Sequence, residues 1–346
     1  MSTGVQSAAS RENVVVVSEV NFAELSLLEI EKTSKYLELL ARLKKSFKTD
    51  LHAHLGGALS KEFIKKHSTA QEYAELIGFI DKLKSGIDYS DAFKAFSMIG
   101  RVLNSNQRIE EAAFDFCQNQ HNDNVTFTEL RTGLKRLDGG FEDYLKAVIA
   151  GLERGMEAYP IRVTLVLSLR RETSFEDADE TIALAIKYRG QIVKGIDVSG
   201  ESIKGDGKGI FEALRQARSK GLPITLHIGE SKDESPEQQL KELKEIQPSR
   251  VGHAVHLCPE AQEWIENNQI VVEACLRSAL SVMIKKPTEH PALALFKKGH
   301  PVVFCTDDST LFGSHSEELA LDACLCDLTI EQVTEMQKAA LTYAFN

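Results

Sequence analysis

Eight short β-prone runs recur along this chain, and between most of them lie stretches whose apolar residues repeat at helical spacing. The runs are Thr49–Leu55, Val125–Leu130, Ile161–Leu169, Ile192–Val198, Pro223–Ile228, Arg250–Leu257, Gln269–Cys275 and Pro301–Thr306. Phe141–Tyr159, Glu176–Tyr188 and Gly209–Lys220 are the clearest helical stretches between them. A connection that contains a helix carries the chain back to the end it left, so neighbouring strands should be parallel. Parallel strands are covered on both faces and read as nearly continuous apolar runs, as these do. The pattern predicts an α/β fold, a TIM (β/α)8 barrel. Helical periodicity from Asn21 to Phe47 predicts extra N-terminal helices. The stretch 60–124 is too long for one crossover and predicts a helical insertion after strand 1, placed over the barrel mouth as a lid. Residues 21–346 read as one barrel domain and 1–20 as a flexible leader.

Composition narrows the function classes. Of 346 residues, 42% are hydrophobic and 27% charged, ordinary values for a globular protein. A formal net charge of -10 argues against nucleic acid as a partner, because neutralising phosphates needs a basic surface. The apolar run Val14–Val17 is too short for a signal or membrane segment, so no membrane partner is expected. The six cysteines, Cys117, Cys258, Cys275, Cys305, Cys324 and Cys326, lie mostly in apolar runs, which predicts reduced thiols and a cytoplasmic protein. The expected partner is a small molecule.

In a barrel of this kind the chemistry sits at the C-terminal ends of the strands. Alternation in the first run sets Leu51, Ala53 and Leu55 on one face and His52 and His54 on the other, pointing inward. The fifth run places His227 inward and is followed by Gly229 and Glu230. The eighth ends in Asp307-Asp308. Each taken singly has a bland account, a hydrogen-bonded core histidine or a helix-capping aspartate. Together, three imidazoles and a carboxylate at strand ends suit a divalent metal, and zinc with an open position in particular. In the sixth run Val251, His253 and Val255 share a face, which places His253 near the mouth, whereas His256 has the opposite parity and reads as structural.

At this point the residues resemble the adenosine deaminase family. The resemblance runs from about Thr49 to Phe312 through Asp50-Leu51-His52-Ala53-His54-Leu55, Glu129-Leu130-Arg131, Gly195-Ile196-Asp197-Val198-Ser199-Gly200, His227-Ile228-Gly229-Glu230, Val251-Gly252-His253-Ala254-Val255-His256 and Thr306-Asp307-Asp308. It implies one zinc ion per chain held by His52, His54, His227 and Asp307, with the metal's water attacking C6 of a purine. Zinc suits that task because it lowers the pKa of water from ~16 to near ~7. The resemblance further implies that Glu230 protonates N1, His253 orients or deprotonates the water, Asp308 contacts N7 and the Gly200 amide contacts N3. The substrate site would also include His54 and Gly56. Adenosine or 2′-deoxyadenosine, giving an inosine-type product and ammonia, is the expected substrate. The alternative is N6-methyl-AMP or an AMP-like nucleotide giving IMP.

This chain departs from the family at Gly56, where the adenosine enzymes carry an Asp and the AMP-like branch an Asn. It departs again at Leu276-Arg277 and at Ser309, where prolines are usual. Gly56-Gly57 could offer backbone amides to a phosphate. Arg131, Arg170 and Arg277 could supply charge there, although a solvated role is the ordinary expectation for an arginine. Three other readings remain. A two-metal hydrolase would bridge its metals with a lysine at the end of the fourth strand, where this chain has Val198-Ser199-Gly200; a cytidine-type deaminase would need a matched His-x-Glu and Pro-Cys-x-x-Cys pair. The last is a purine-binding barrel without turnover.

Overall fold

The computed structural model describes residues 21–346 apart from residue 206; the expected leader at 1–20 lies outside them. Eight parallel strands form one sheet in sequential order: β1 (Lys48–His54), β2 (Val125–Gly133), β3 (Arg162–Arg170), β4 (Val193–Ser199), β5 (Ile224–Ile228), β6 (Arg250–His253), β7 (Val271–Ala274) and β8 (Val302–Phe304). A parallel bridge between Ala53 and Asp307 closes the ring, with the Asp307 amide donating to the His52 carbonyl at 2.8 Å and the His54 amide to the Asp307 carbonyl at 2.9 Å. The architecture is the expected TIM barrel. Among the described residues no helix is long and apolar enough to cross a membrane.

Two short helices, α1 (Leu27–Ile30) and α2 (Ser34–Leu43), precede β1 as expected. The insertion after β1 comprises α3 (Lys61–His67), α4 (Ala70–Lys84), α5 (Tyr89–Val102) and α6 (Asn106–Asn122). Ser60, Thr69 and Ser105 cap α3, α4 and α6 by accepting an amide N–H three residues on, which fixes where those helices begin. The last of the four packs against α7 (Phe141–Ala158) closely enough to require glycine: a Cβ at Gly151 would stand 2.2 Å from the Glu110 carbonyl. By contrast α5 crosses the mouth, where Tyr89, Phe93 and Phe96 form part of the cavity wall. The predicted covering helices are therefore present.

Strict alternation fails at two places that matter. Pairing of β1 shifts between Asp50 and Ala53, so Leu51 joins Phe127, Val271 and Val303 inside the barrel, and Asp50 turns away to Thr306 and to His315 at the start of the helix His315–Cys326. His52 and His54 still both reach the site. In β6, alternation puts Arg250 and Gly252 inward and His253 outward beside Val251. The strand instead ends at His253, four residues earlier than the apolar run implies, because His253 and Ala254 take φ of +63° and +55°. Left-handed backbone at two non-glycine residues costs about 1–3 kcal/mol each. It swings the His253 ring into the barrel, so that residue reaches the site through a kink rather than through parity.

Candidate active site

Three imidazoles meet at the top of the barrel. His52 Nε2 lies 3.1 Å from His54 Nε2, which lies 3.2 Å from His227 Nε2, and Asp307 Oδ1 is 3.6 Å from the Nε2 of both His52 and His54. The far nitrogen of His52, Nδ1, is 2.9 Å from Glu273 Oε2, and that of His227 is 2.9 Å from Asp197 Oδ1. His227 Nδ1 also meets the Val198 carbonyl oxygen at 3.2 Å, and an acceptor at Nδ1 fixes the proton there and leaves the Nε2 lone pair facing the cluster. The Nε2 lone pairs of His52 and His227 both face His54 Nε2 at about 3 Å, and a cation among the three nitrogens satisfies them together. The donor set therefore fits a divalent metal, and its nitrogen-rich character suits zinc. Ligand atoms of His52, His227, His253 and Asp307 also lie within 4.8 Å of one another, so His253 borders the same space. It is more deeply buried than His54, with Nε2 4.0 Å from Asp307 Oδ2 and 3.6 Å from Glu230 Oε1.

Local structure holds each group. Asp307 adopts φ +62°, a strained conformation stabilised by the two hydrogen bonds that close the barrel. Glu234 accepts the amides of Gly229, Glu230 and Ser231 at 2.8, 2.9 and 3.1 Å, which shapes the turn that aims Glu230 inward. Gly57 leaves room for Asp308, since a Cβ there would fall 1.6 Å from Asp308 Oδ1. Gly200, at φ +87°, forms the wall opposite, beside Arg170.

Burial sets the proton affinities. It pushes the Glu230 carboxyl up to about 8, against the pull of His227 and Arg171 and with help from the charges of Glu234 and Asp307. It holds the His253 imidazole well below its ordinary value, with His227 adding to the effect. Asp308 is raised by burial and by the adjacent Asp307 carboxylate. At neutral pH the site thus presents a carboxylic acid at Glu230 beside a neutral base at His253. Glu230 Oε2, His253 Nδ1 and Asp308 Oδ1 are buried without a hydrogen-bond partner, the state expected of groups that await a ligand. They open on a cavity of about 270 Å3, bordered also by His54, Gly56, Gly57 and Gly200. Every residue expected at the site is brought to it.

The family model of adenosine deaminase matches residues 47–346. The chain belongs to the adenosine deaminase family. It is accordingly a hydrolase that acts on the C–N bonds of amidines. It is 29% identical to the N6-mAMP deaminase of Arabidopsis thaliana over 86% of this chain and 92% of that protein. Identity to the adenosine deaminase-like protein of Drosophila melanogaster is also 29%, over 86% of this chain and 91% of that one. A crystal structure of Arabidopsis ADAL complexed with IMP superposes with a TM-score of 0.79 at 28% identity, covering 88% of this chain and 94% of that chain.

Sequence reasoning missed the charges behind the site. Glu129, Arg131, Asp197, Arg250 and Glu273 are all buried inside the barrel, so Arg131 is not the solvated residue expected of an arginine. Arg277 is buried too, paired with Glu31, whereas Arg170 is exposed at the rim beside Glu172. The signal was available, since a charged residue at an inward position of an apolar strand must have a buried partner.

Proposed function

We propose that this chain deaminates a purine 5′-nucleotide bearing an amino or alkylamino group at C6, of the N6-methyl-AMP type, giving IMP and an amine, with zinc as the metal. This replaces the adenosine substrate expected from the sequence. The observation that carries the choice is the pairing of two cations at the cavity rim. Lys135 and Arg170 both border the cavity from exposed positions on its rim, and partial desolvation by the cavity wall together with the neighbouring Arg170 guanidinium holds the Lys135 ammonium below its usual value. A dianionic phosphate relieves that repulsion. No carboxylate opposes it at Gly56, where the space around the missing side chain is open. The relatives with N6-mAMP deaminase in their names, and the solved relative that holds IMP, support the same reading.

His52, His54, His227 and Asp307 would hold the metal, which supplies the Lewis acidity that lets water attack C6 near neutral pH. Glu230, kept protonated by burial, donates its proton to N1 as electrons collect there. His253, neutral and 3.6 Å from Glu230, orients the attacking water and takes its proton. Asp308, whose carboxyl is raised by burial and by the Asp307 charge, donates to N7, and the Gly200 amide faces N3. Proton delivery then lets the amine leave.

Steady-state comparison of N6-methyl-AMP, AMP and adenosine tests the reading. Phosphate contacts worth about 1.5–3 kcal/mol each favour the methylated nucleotide over adenosine by ~10²-fold in kcat/KM. Lys135→Ala should lower the nucleotide value about tenfold and leave adenosine unaffected. A ratio favouring adenosine would overturn the assignment.

A further inference from the structure

Behind the converging imidazoles, Asp197 and Glu273 do not act alone, because one guanidinium joins them. Arg131 Nη1 donates to Asp197 Oδ1 at 3.2 Å, and Nη2 donates both to Glu273 Oε2 and, at 3.0 Å, to the Leu51 carbonyl. These are the same two oxygens that face His227 Nδ1 and His52 Nδ1. Arg131, Asp197 and Glu273 have no solvent exposure, so no water can take over a contact that one of them gives up. A shift of the guanidinium therefore moves both carboxylates: Glu273 turns the His52 imidazole through its hydrogen bond to Nδ1, and Asp197 shares the hold on His227 Nδ1 with the Val198 carbonyl. The Leu51 contact fixes this plate to β1 itself, one residue before His52.

We infer that Arg131 is a positioning residue which locks His52 and His227 into a single unit, setting the direction of both Nε2 lone pairs at once. The inference rests on the metal reading given above. Only a planar group with two separated donors can span the two carboxylates; a lysine ammonium in the same place keeps the charge but loses the bridge. The formal charges point the same way. Three buried carboxylates, Glu129, Asp197 and Glu273, face two buried guanidinium groups, Arg131 and Arg250, which leaves negative charge in excess directly behind the imidazoles. That excess favours a cation on their far side.

The test uses Co(II) loaded into the full chain, read by its visible absorption and by competition with a chelator. Arg131→Lys should weaken cobalt binding by ~10–100-fold and alter the absorption band, while far-ultraviolet circular dichroism stays that of the wild type. Asp197→Asn and Glu273→Gln should each weaken binding, and the double substitution should cost less than the product of the two, because both act through one guanidinium. If Arg131→Lys does not fold, this second cycle decides without touching Arg131. Wild-type affinity and spectrum in Arg131→Lys, or strictly multiplicative effects in the cycle, would overturn the inference alone. A wild-type chain that takes up no cobalt removes the metal reading and this inference with it.

Discussion

The two ends of the barrel treat buried polar atoms in opposite ways. Toward the floor, Glu129 uses both oxygens, on Arg250 and the Phe345 amide; Arg250 uses all three nitrogens, on Glu273, Glu129 and the Tyr343 carbonyl; and Glu273 uses both oxygens, on His52, Arg131, Arg250 and Thr225. The Phe345 ring stacks 3.6 Å from the Arg250 guanidinium and occupies the space a side chain at Gly195 would need. At the mouth, Glu230, His253 and Asp308 each keep a buried atom without a partner. Between the two layers Arg131 and Asp197 are intermediate, each mostly paired with one atom left over. A buried polar group without a partner costs about 1–3 kcal/mol. At the mouth a ligand can supply the missing bonds, whereas at the floor, where none can enter, Glu129, Arg250 and Glu273 find all their partners within the chain.

The largest effect should come from the plane where the two layers meet. His52→Ala and His227→Ala each delete an Nε2 donor from the cluster and should remove metal and turnover together, to the uncatalysed background. Elemental analysis beside an amine-release assay reads both. An alanine variant that kept full activity without metal would break the comparison, because the mouth would then need no cation.

A smaller loss should follow from changing one unpartnered group of the mouth. Glu230→Gln keeps size and burial but removes the proton, and should lower kcat by at least ~10²-fold with metal content unchanged. Because the acid form is the active one and burial sets its value at about 8, wild-type kcat/KM should be level below that pH and fall above it. That limb should be missing in the residual activity of Glu230→Gln. A wild-type profile flat to pH 10 would refute the acid role.

How much of this was legible beforehand also divides by layer. The eight strands, the lid helices, His227 and Asp307 could be read because period-two patterning and the strand-end rule depend on local sequence alone, whereas His52 and His54 reach the site although the β1 pairing shifts and turns Asp50, of the same parity, away. His253 was found for an incomplete reason, since its inward turn comes from the backbone kink at His253 and Ala254 rather than from alternation. The role of Arg131 was not legible. Its meaning depends on Asp197 and Glu273, which lie 66 and 142 positions away and meet it only once the barrel closes. Likewise Lys135 lies in the turn after β2, where nothing local distinguishes it from a solvated lysine until Arg170 is placed beside it.

The smallest expected effect is on stability, and it separates the two layers most directly. Glu230 and Glu273 are both buried glutamates with opposite shifts. Burial raises both, but at Glu273 the guanidinium groups of Arg131 and Arg250 overcome it and hold the carboxyl below its usual value, whereas at Glu230 burial wins and the value rises to about 8. A raised value means that the folded state holds the proton more tightly than the unfolded state does. Its stabilisation is therefore complete below the unfolded value near ~4.5 and is lost as pH climbs through about 8. Glu230→Gln removes the ionisation and should melt higher than the wild type at pH 8, by about 6 °C for a chain of this size, with the gap closing toward pH 5. Glu273→Gln should do the reverse near neutral pH: it leaves two buried guanidinium groups short of a partner, and should lower the melting temperature at pH 7 and pH 8 alike. Calorimetric scans at pH 5, 7 and 8, with metal content matched, read both. If Glu230→Gln melted lower than the wild type at pH 8, the mouth would be held together by the same satisfied contacts as the floor, and the distinction between the layers would fail.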